Sequence, residues 1–238
     1  MKSTSLFKSA LPVLLAFSLN TTTATAQQSK NVSLTNFNEV SVSSGIDLYL
    51  TQSNSENIKI SGHEDLIKNV EVEKNGSSLN IRYKKNISWQ RIFKDQSLKV
   101  YVNYKTLRAI SASGGSDVYS QNTLKTTSLK IQASGGSDIK LDIAARDLEL
   151  SVSGGSDANL KGTVSNMNIQ SSGGSDVDAL NLVSEYAKVS ASGGSDANVH
   201  VTKGLEASAS GGSDINYKGN PALNKTSSSK SGDVTRIK

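Results

Sequence analysis

At 238 residues with no cysteine, the chain excludes disulfides and thiolate metal sites as sources of stability or chemistry. Its formal charge of +5 belongs to its two ends. Lys2 and Lys8 open the chain, five bases against one acid lie from Lys218 onward, and the body from Gln27 to Tyr217 is close to neutral. A neutral body excludes the basic face that nucleic-acid binding requires, so no nucleic-acid partner is expected.

Residues 1–26 read as a signal peptide. Two lysines precede an apolar stretch, Ala10 to Leu19, which is too short to cross a bilayer as a helix. Ala24-Thr25-Ala26 supplies a small-x-small cleavage pattern, so the mature chain is expected to begin at Gln27. No cysteine follows to take a lipid, and no later segment is apolar for long enough to span a membrane. The expected location is extracytoplasmic: periplasm, outer-membrane surface or secreted.

Residues 27–220 are expected to form one domain, of which 32–104 is an irregular β cap and 105–220 a repeat array. In the first part Val40-Ser41-Val42, Leu48-Tyr49-Leu50, Ile58-Lys59-Ile60, Val70-Glu71-Val72, Leu79-Asn80-Ile81 and Leu98-Lys99-Val100 alternate apolar with polar, the period of a half-buried strand. His63 to Lys68 suits one helical turn. Arg82 to Lys94 interleaves bases with aromatics, which makes Tyr83, Lys84, Lys85, Trp89 and Arg91 the candidate ligand-binding residues, suited to stacking on sugars or meeting anionic glycans. The plainer alternative is a solvated loop whose Ile87, Ile92 and Phe93 fold back onto the core.

Ser-Gly-Gly-Ser-Asp then occurs six times, with aspartates at Asp117, Asp138, Asp157, Asp176, Asp196 and Asp214, spaced 21, 19, 19, 20 and 18 residues apart. A degenerate copy, Ser231-Gly232-Asp233, follows 19 residues later, and Ser44-Gly45-Ile46-Asp47 is an early echo. Ile110, Ile131, Leu150, Ile169, Val189 and Ala207 stand four residues before the first glycine. Val118, Ile139, Ala158, Val177, Ala197 and Ile215 follow the aspartates. Each repeat therefore reads as strand, Gly-Gly corner, strand and a short connection such as Ala144 to Asp147. A unit of about 20 residues buries its apolar edge only by stacking on its neighbours. An all-β solenoid follows, with about 20-residue repeats and an irregular N-terminal β cap. Residues 221–238 read as a basic, mostly disordered tail.

Stacked turns would align the aspartates at strand spacing, where unit charges repel by about 1 kcal/mol in water. Serine and aspartate side chains that accept backbone N–H bonds at the corner are the simplest compensation. Calcium held by Asp117, Asp138, Asp157, Asp176, Asp196 and Asp214 is the sharper reading, although one carboxylate per turn is a thin supply of ligands. No other metal and no cofactor is expected. An ice-binding face would want threonine and no adjacent charge. Nothing resembles a catalytic set: the acids recur identically on every turn, only His63 and His200 are available, and the Gly-Gly-Ser element lacks the lysine of a phosphate loop.

Phe37-Asn38-Glu39-Val40, Ser43-Ser44-Gly45-Ile46-Asp47-Leu48-Tyr49-Leu50, Lys99-Val100-Tyr101-Val102, the Ser-Gly-Gly-Ser-Asp series and the closing Tyr217-Lys218-Gly219-Asn220-Pro221 resemble the putative auto-transporter adhesin, head GIN domain family, over Phe37 to Pro221. The resemblance implies a right-handed β-helix-like fold and export in Bacteroidetes-type bacteria, and it supplies no catalytic residues. The naming motif corresponds to Gly45-Ile46-Asp47, with aspartate for asparagine; both cap turns. Taken together, these features predict an exported, non-enzymatic β-solenoid serving as an adhesion or surface/ligand-binding module, with glycans or other cell-envelope components as partners. A periplasmic scaffold without a glycan partner, self-associating through its solenoid ends, is one alternative, and a carbohydrate-active enzyme is the other.

Overall fold

The computed structural model describes residues 28–85, 98–225 and 231–238, so the expected signal peptide lies outside the described residues. In chain order the elements are β1 (Gln28–Val32), β2 (Glu39–Ser43), β3 (Asp47–Gln52), β4 (Asn57–Gly62), α1 (Glu64–Asn69), β5 (Val70–Asn75), β6 (Ser78–Tyr83), β7 (Lys99–Tyr104), β8 (Ala109–Ser113) and β9 (Val118–Ser120). There follow β10 (Leu124–Ser134), β11 (Asp138–Ser153), β12 (Asp157–Ser172), β13 (Asp176–Ser192), β14 (Asp196–Ser210), β15 (Ser213–Lys218), β16 (Ala222–Lys225) and β17 (Gly232–Arg236). The one helix among the described residues is the expected turn, α1, capped by His63 Nδ1 accepting from the Asp65 amide.

Parallel pairing builds a β-solenoid with two walls. The wall of residues that precede the glycine corners runs β5–β6–β2–β8–β10–β11–β12–β13–β14–β16. The wall of residues that follow the corners runs β1–β4–β7–β3–β9–β11–β12–β13–β14–β15–β17. Stacking order departs from chain order at one place. The β2–β3 turn is inserted between the β6–β7 turn and the β8–β9 turn, so the early echo at Gly45 stacks directly on the first full repeat. The Ile46 amide donates to Ser116 Oγ at 3.1 Å across 70 residues of chain. Beyond β6 and β7 the antiparallel pairs β5–β6, β4–β7 and β1–β4 close that end.

Alternation decides which side chains fill the interior. Along β11, Ile139, Leu141 and Ile143 point inward, then Leu148, Leu150 and Val152 do so with the phase slipped by one residue. That slip is the second corner. The expected connection Ala144 to Asp147 is not a loop but a bend inside one long strand. Interior columns differ in size: Ile110, Ile131, Leu150, Ile169, Val189 and Ala207 form a bulky one that narrows at its last turn, whereas Ala112, Ala133, Val152, Ser171, Ala191 and Ala209, nearer the corner, stay small throughout.

At the first corner both glycines take positive φ, +66° and +76° at Gly135 and Gly136. The serine that follows is buried on every turn: Ser116, Ser137, Ser156, Ser175, Ser195 and Ser213 are fully enclosed. Their hydroxyls form a ladder. Ser137 Oγ accepts from the Ser116 amide at 3.3 Å and donates to the Ser134 carbonyl at 3.0 Å, and the Ser137 amide donates to Ser156 Oγ at 3.0 Å. Buried amides thus find acceptors where the chain turns too sharply for ordinary pairing.

Two stretches of the expected tail are strands. β16 pairs with β14, and β17 with β15, aligning Asp233 with Asp214. The degenerate Ser231-Gly232-Asp233 copy therefore still directs a turn, with Leu223 in register with Leu205 and Val234 with Ile215 at the end of their columns.

Candidate functional site

The six repeat aspartates do align. Asp138, Asp157, Asp176, Asp196, Asp214 and Asp233 are in consecutive register, and Asp117 and Asp47 continue the column beside Val118 and Leu48. Their hydrogen bonding alternates from turn to turn. Asp117, Asp157 and Asp196 each accept the backbone amide of the next aspartate, at 3.3, 3.3 and 3.2 Å. The amides of Asp157 and Asp196 donate instead to the Ser137 and Ser175 carbonyls, at 3.1 and 3.2 Å. Burial, then repulsion from Asp117 and Asp157, raises the Asp138 carboxyl above its ordinary value, with Lys140 opposing. Asp47 is raised the same way, by burial and then Asp117, against Lys99. The carboxylates spread one per turn. Among the described residues no three histidine, aspartate or glutamate side chains come together to hold a metal ion.

Of the candidate ligand residues, Trp89 and Arg91 lie outside the described residues. Lys84 and Lys85 are exposed at the end of β6. Tyr83 is a correction: it continues the inward phase of Leu79 and Ile81, is 4% exposed, and its phenol is pushed up to about 12 by burial and by Asp47. A side chain facing the core offers no stacking face to a sugar.

Two aromatic features on the outer walls stand out. Tyr101, Tyr49 and Tyr119 stack across β7, β3 and β9 with centroids 5.0 and 5.1 Å apart and planes 20° apart. Lys140 Nζ lies 5.9 Å from the Tyr119 centroid, and the Tyr119 hydroxyl donates to Asp117 Oδ2 at 3.0 Å. Burial and that hydrogen bond push the Tyr119 phenol up to about 12. Because the rings cover one another, this row fastens the inserted β3 between β7 and β9 more than it presents a platform.

Tyr186 is different. It is 51% exposed and sits opposite Gly204, where an added Cβ would lie 3.0 Å from its Cδ1. It marks a cleft of about 550 Å³ on the pre-corner wall, bordered by Asp147, Asn166, Lys188 and Glu206. Two register shifts between β13 and β14 come just before it, between Ala179 and Val183 and between Ser184 and Tyr186, where one strand carries extra residues against the other. Sequence reasoning passed over Tyr186, yet the signal was there: it is the only aromatic between Tyr119 and Tyr217.

Fold and surface together define a β-solenoid that carries its polar and aromatic groups on long outer walls. The family model described as "Putative auto-transporter adhesin, head GIN domain" matches residues 36–221. The chain belongs to that family. Solved structures agree. A "putative adhesin" from Bacteroides fragilis is similar at 25% identity and a TM-score of 0.79, covering 89% of this chain and 97% of its own. A "putative adhesin" from Parabacteroides merdae gives 21% identity and 0.70, over 89% and 96%. A "putative lipid binding protein" from Parabacteroides distasonis gives 19% and 0.71, over 89% and 97%; likeness at that identity concerns the fold. No curated protein matches the chain.

Proposed function

We propose that the chain is exported and works as a non-catalytic binding module in adhesion, holding glycans of the cell envelope or of a host on its outer walls. One observation carries the reading. The charged groups of the walls recur one per turn and are paired along the solenoid, as in Lys130–Glu149 at 2.8 Å and Lys188–Glu206 at 2.7 Å, rather than converging as a catalytic pair would. Such a wall suits an extended ligand lying along it. The adhesin names of the family and of its structural relatives support the same reading. No helix among the described residues is long and apolar enough to cross a membrane.

The test is to label intact cells with an antibody to the solenoid and to measure capture of glycan-coated beads by the purified mature chain. Surface labelling with saturable capture is expected. Labelling only after the outer membrane is opened, with no capture, would favour the periplasmic scaffold. That second reading rests on a specific feature: β16 and β17 end the two walls, and Leu223 is 43% exposed there, so end-to-end pairing is available. A sedimentation coefficient that rises with concentration, and stops rising in Leu223→Lys, is what scaffold assembly predicts.

A further inference from the structure

We infer that the cleft at Tyr186 is a subsite for one residue of an uncharged glycan; the inference rests on the binding-module reading and adds to it a place and a ligand class. A sugar ring is bound by an aromatic face beneath its C–H side and by polar groups around its hydroxyl edge. Both are present. The outward column Ser128, Asp147, Asn166, Tyr186, Gly204, Ala222 carries small residues on the side toward which the ring leans. Gly204 keeps that seat free: a Cβ there would lie 3.0 Å from Cδ1 and 3.4 Å from Cε1 of Tyr186. The ring therefore lies across the strand, one side against backbone, and remains half exposed. Lys203 Nζ stands over the ring, 5.8 Å from its centroid and held by Glu185 at 2.9 Å, so a sugar stacking on that face displaces this exposed lysine, which then serves as a hydrogen-bond donor at the sugar's edge.

The rim decides the ligand class. Every acid around the cleft has its own base: Glu149 with Lys130, Glu206 with Lys188, Glu185 with Lys203, and Asp147 with Arg146 at 2.8 Å, Asp147 also accepting from Asn166 at 2.8 Å. The lining itself carries Asp147, Glu149 and Glu206 against Lys188, so the cleft has no unpaired cation to draw a sulfate or a uronate. These groups do supply charge-assisted donors and acceptors for hydroxyl groups, which carry both functions. The Tyr49 row lacks this combination, because both faces of Tyr49 are covered by neighbouring rings. A single such subsite binds weakly, with a Kd of about 1 mM, and gains by repetition along a polymer.

The experiment is saturation-transfer NMR and calorimetry on the purified mature chain, with cellobiose, lactose and mannobiose as neutral probes and digalacturonate and a sulfated disaccharide as acidic ones. Neutral probes are expected to bind. Tyr186→Ala should weaken them about tenfold or more, Tyr186→Phe should retain them, and Gly204→Val should lose them by occupying the seat of the ring. Thermal melts confirm that each variant is folded. Neutral binding that survives Tyr186→Ala overturns the site while leaving the binding-module reading in place. Preference for the acidic probes overturns the ligand class. No sugar binding by the wild type overturns the inference, and the bead-capture experiment then decides separately whether the binding-module reading falls with it.

Discussion

The aspartate column shows how one repeated residue takes two roles. Asp157 accepts the Asp176 amide, whereas the structure gives the Asp138 carboxylate no such amide. Replacing Asp157 by alanine removes that hydrogen bond, whereas replacing Asp138 removes none and also relieves a carboxylate raised by burial and by its neighbours, so both effects act in the same direction. Asp157→Ala is expected to be less stable than Asp138→Ala by about 0.5–1 kcal/mol in urea melts. The pH dependence follows from Asp47 and Asp138, whose carboxyls are raised above the ordinary 3.8 mainly by burial. With folded values above unfolded ones, their ionisation opposes folding above the folded pKa, and that penalty vanishes below the unfolded value. Asp138→Asn should therefore raise the melting temperature at neutral pH by a few degrees, about 1–3 °C, with the gain closing as the pH falls through the aspartate range. A gain that grows on acidification would contradict this. The residue identities at the corner were legible in the sequence. The alternation was not, because it depends on which way each carboxylate turns relative to the next turn, and identical residues carry no trace of that.

Two kinds of glycine divide the work of the elements. Gly155 needs only its positive φ of +68°, since a Cβ there meets nothing within 4 Å. Gly162, inside β12, has φ +116°, and a Cβ would fall 2.0 Å from the Ile143 carbonyl oxygen on the neighbouring turn. Gly155→Ala should cost about 1–2 kcal/mol of conformational strain. Gly162→Ala should cost more than about 3 kcal/mol, because backbone must move to accept it. Equal losses in denaturant melts would contradict the distinction. The strand pattern flanking each Gly-Gly-Ser-Asp was readable because its period of two is a local property. The second corner was read as a connection, since a phase slip within a continuous strand looks in sequence like a gap between strands. Tyr83 was misjudged for a related reason: grouped with the bases after it, it looked like part of a loop, while its own strand had already assigned it to the core.

On the scale of the molecule, the repeat period announced the solenoid, but the insertion of β2–β3 between later turns lay beyond it, because the contact between Ile46 and Ser116 joins segments that share no periodic step. Within the described residues it is the irregular register around Tyr186 and Gly204 that opens a cleft. On the proposed reading the walls bind and do not transform. Its most direct test incubates the purified mature chain with a panel of neutral oligosaccharides, measures the bound fraction at equilibrium, and analyses the recovered sugar by chromatography. The account predicts saturable binding with the oligosaccharides recovered at their original length; shortened products formed in proportion to protein and time would contradict it.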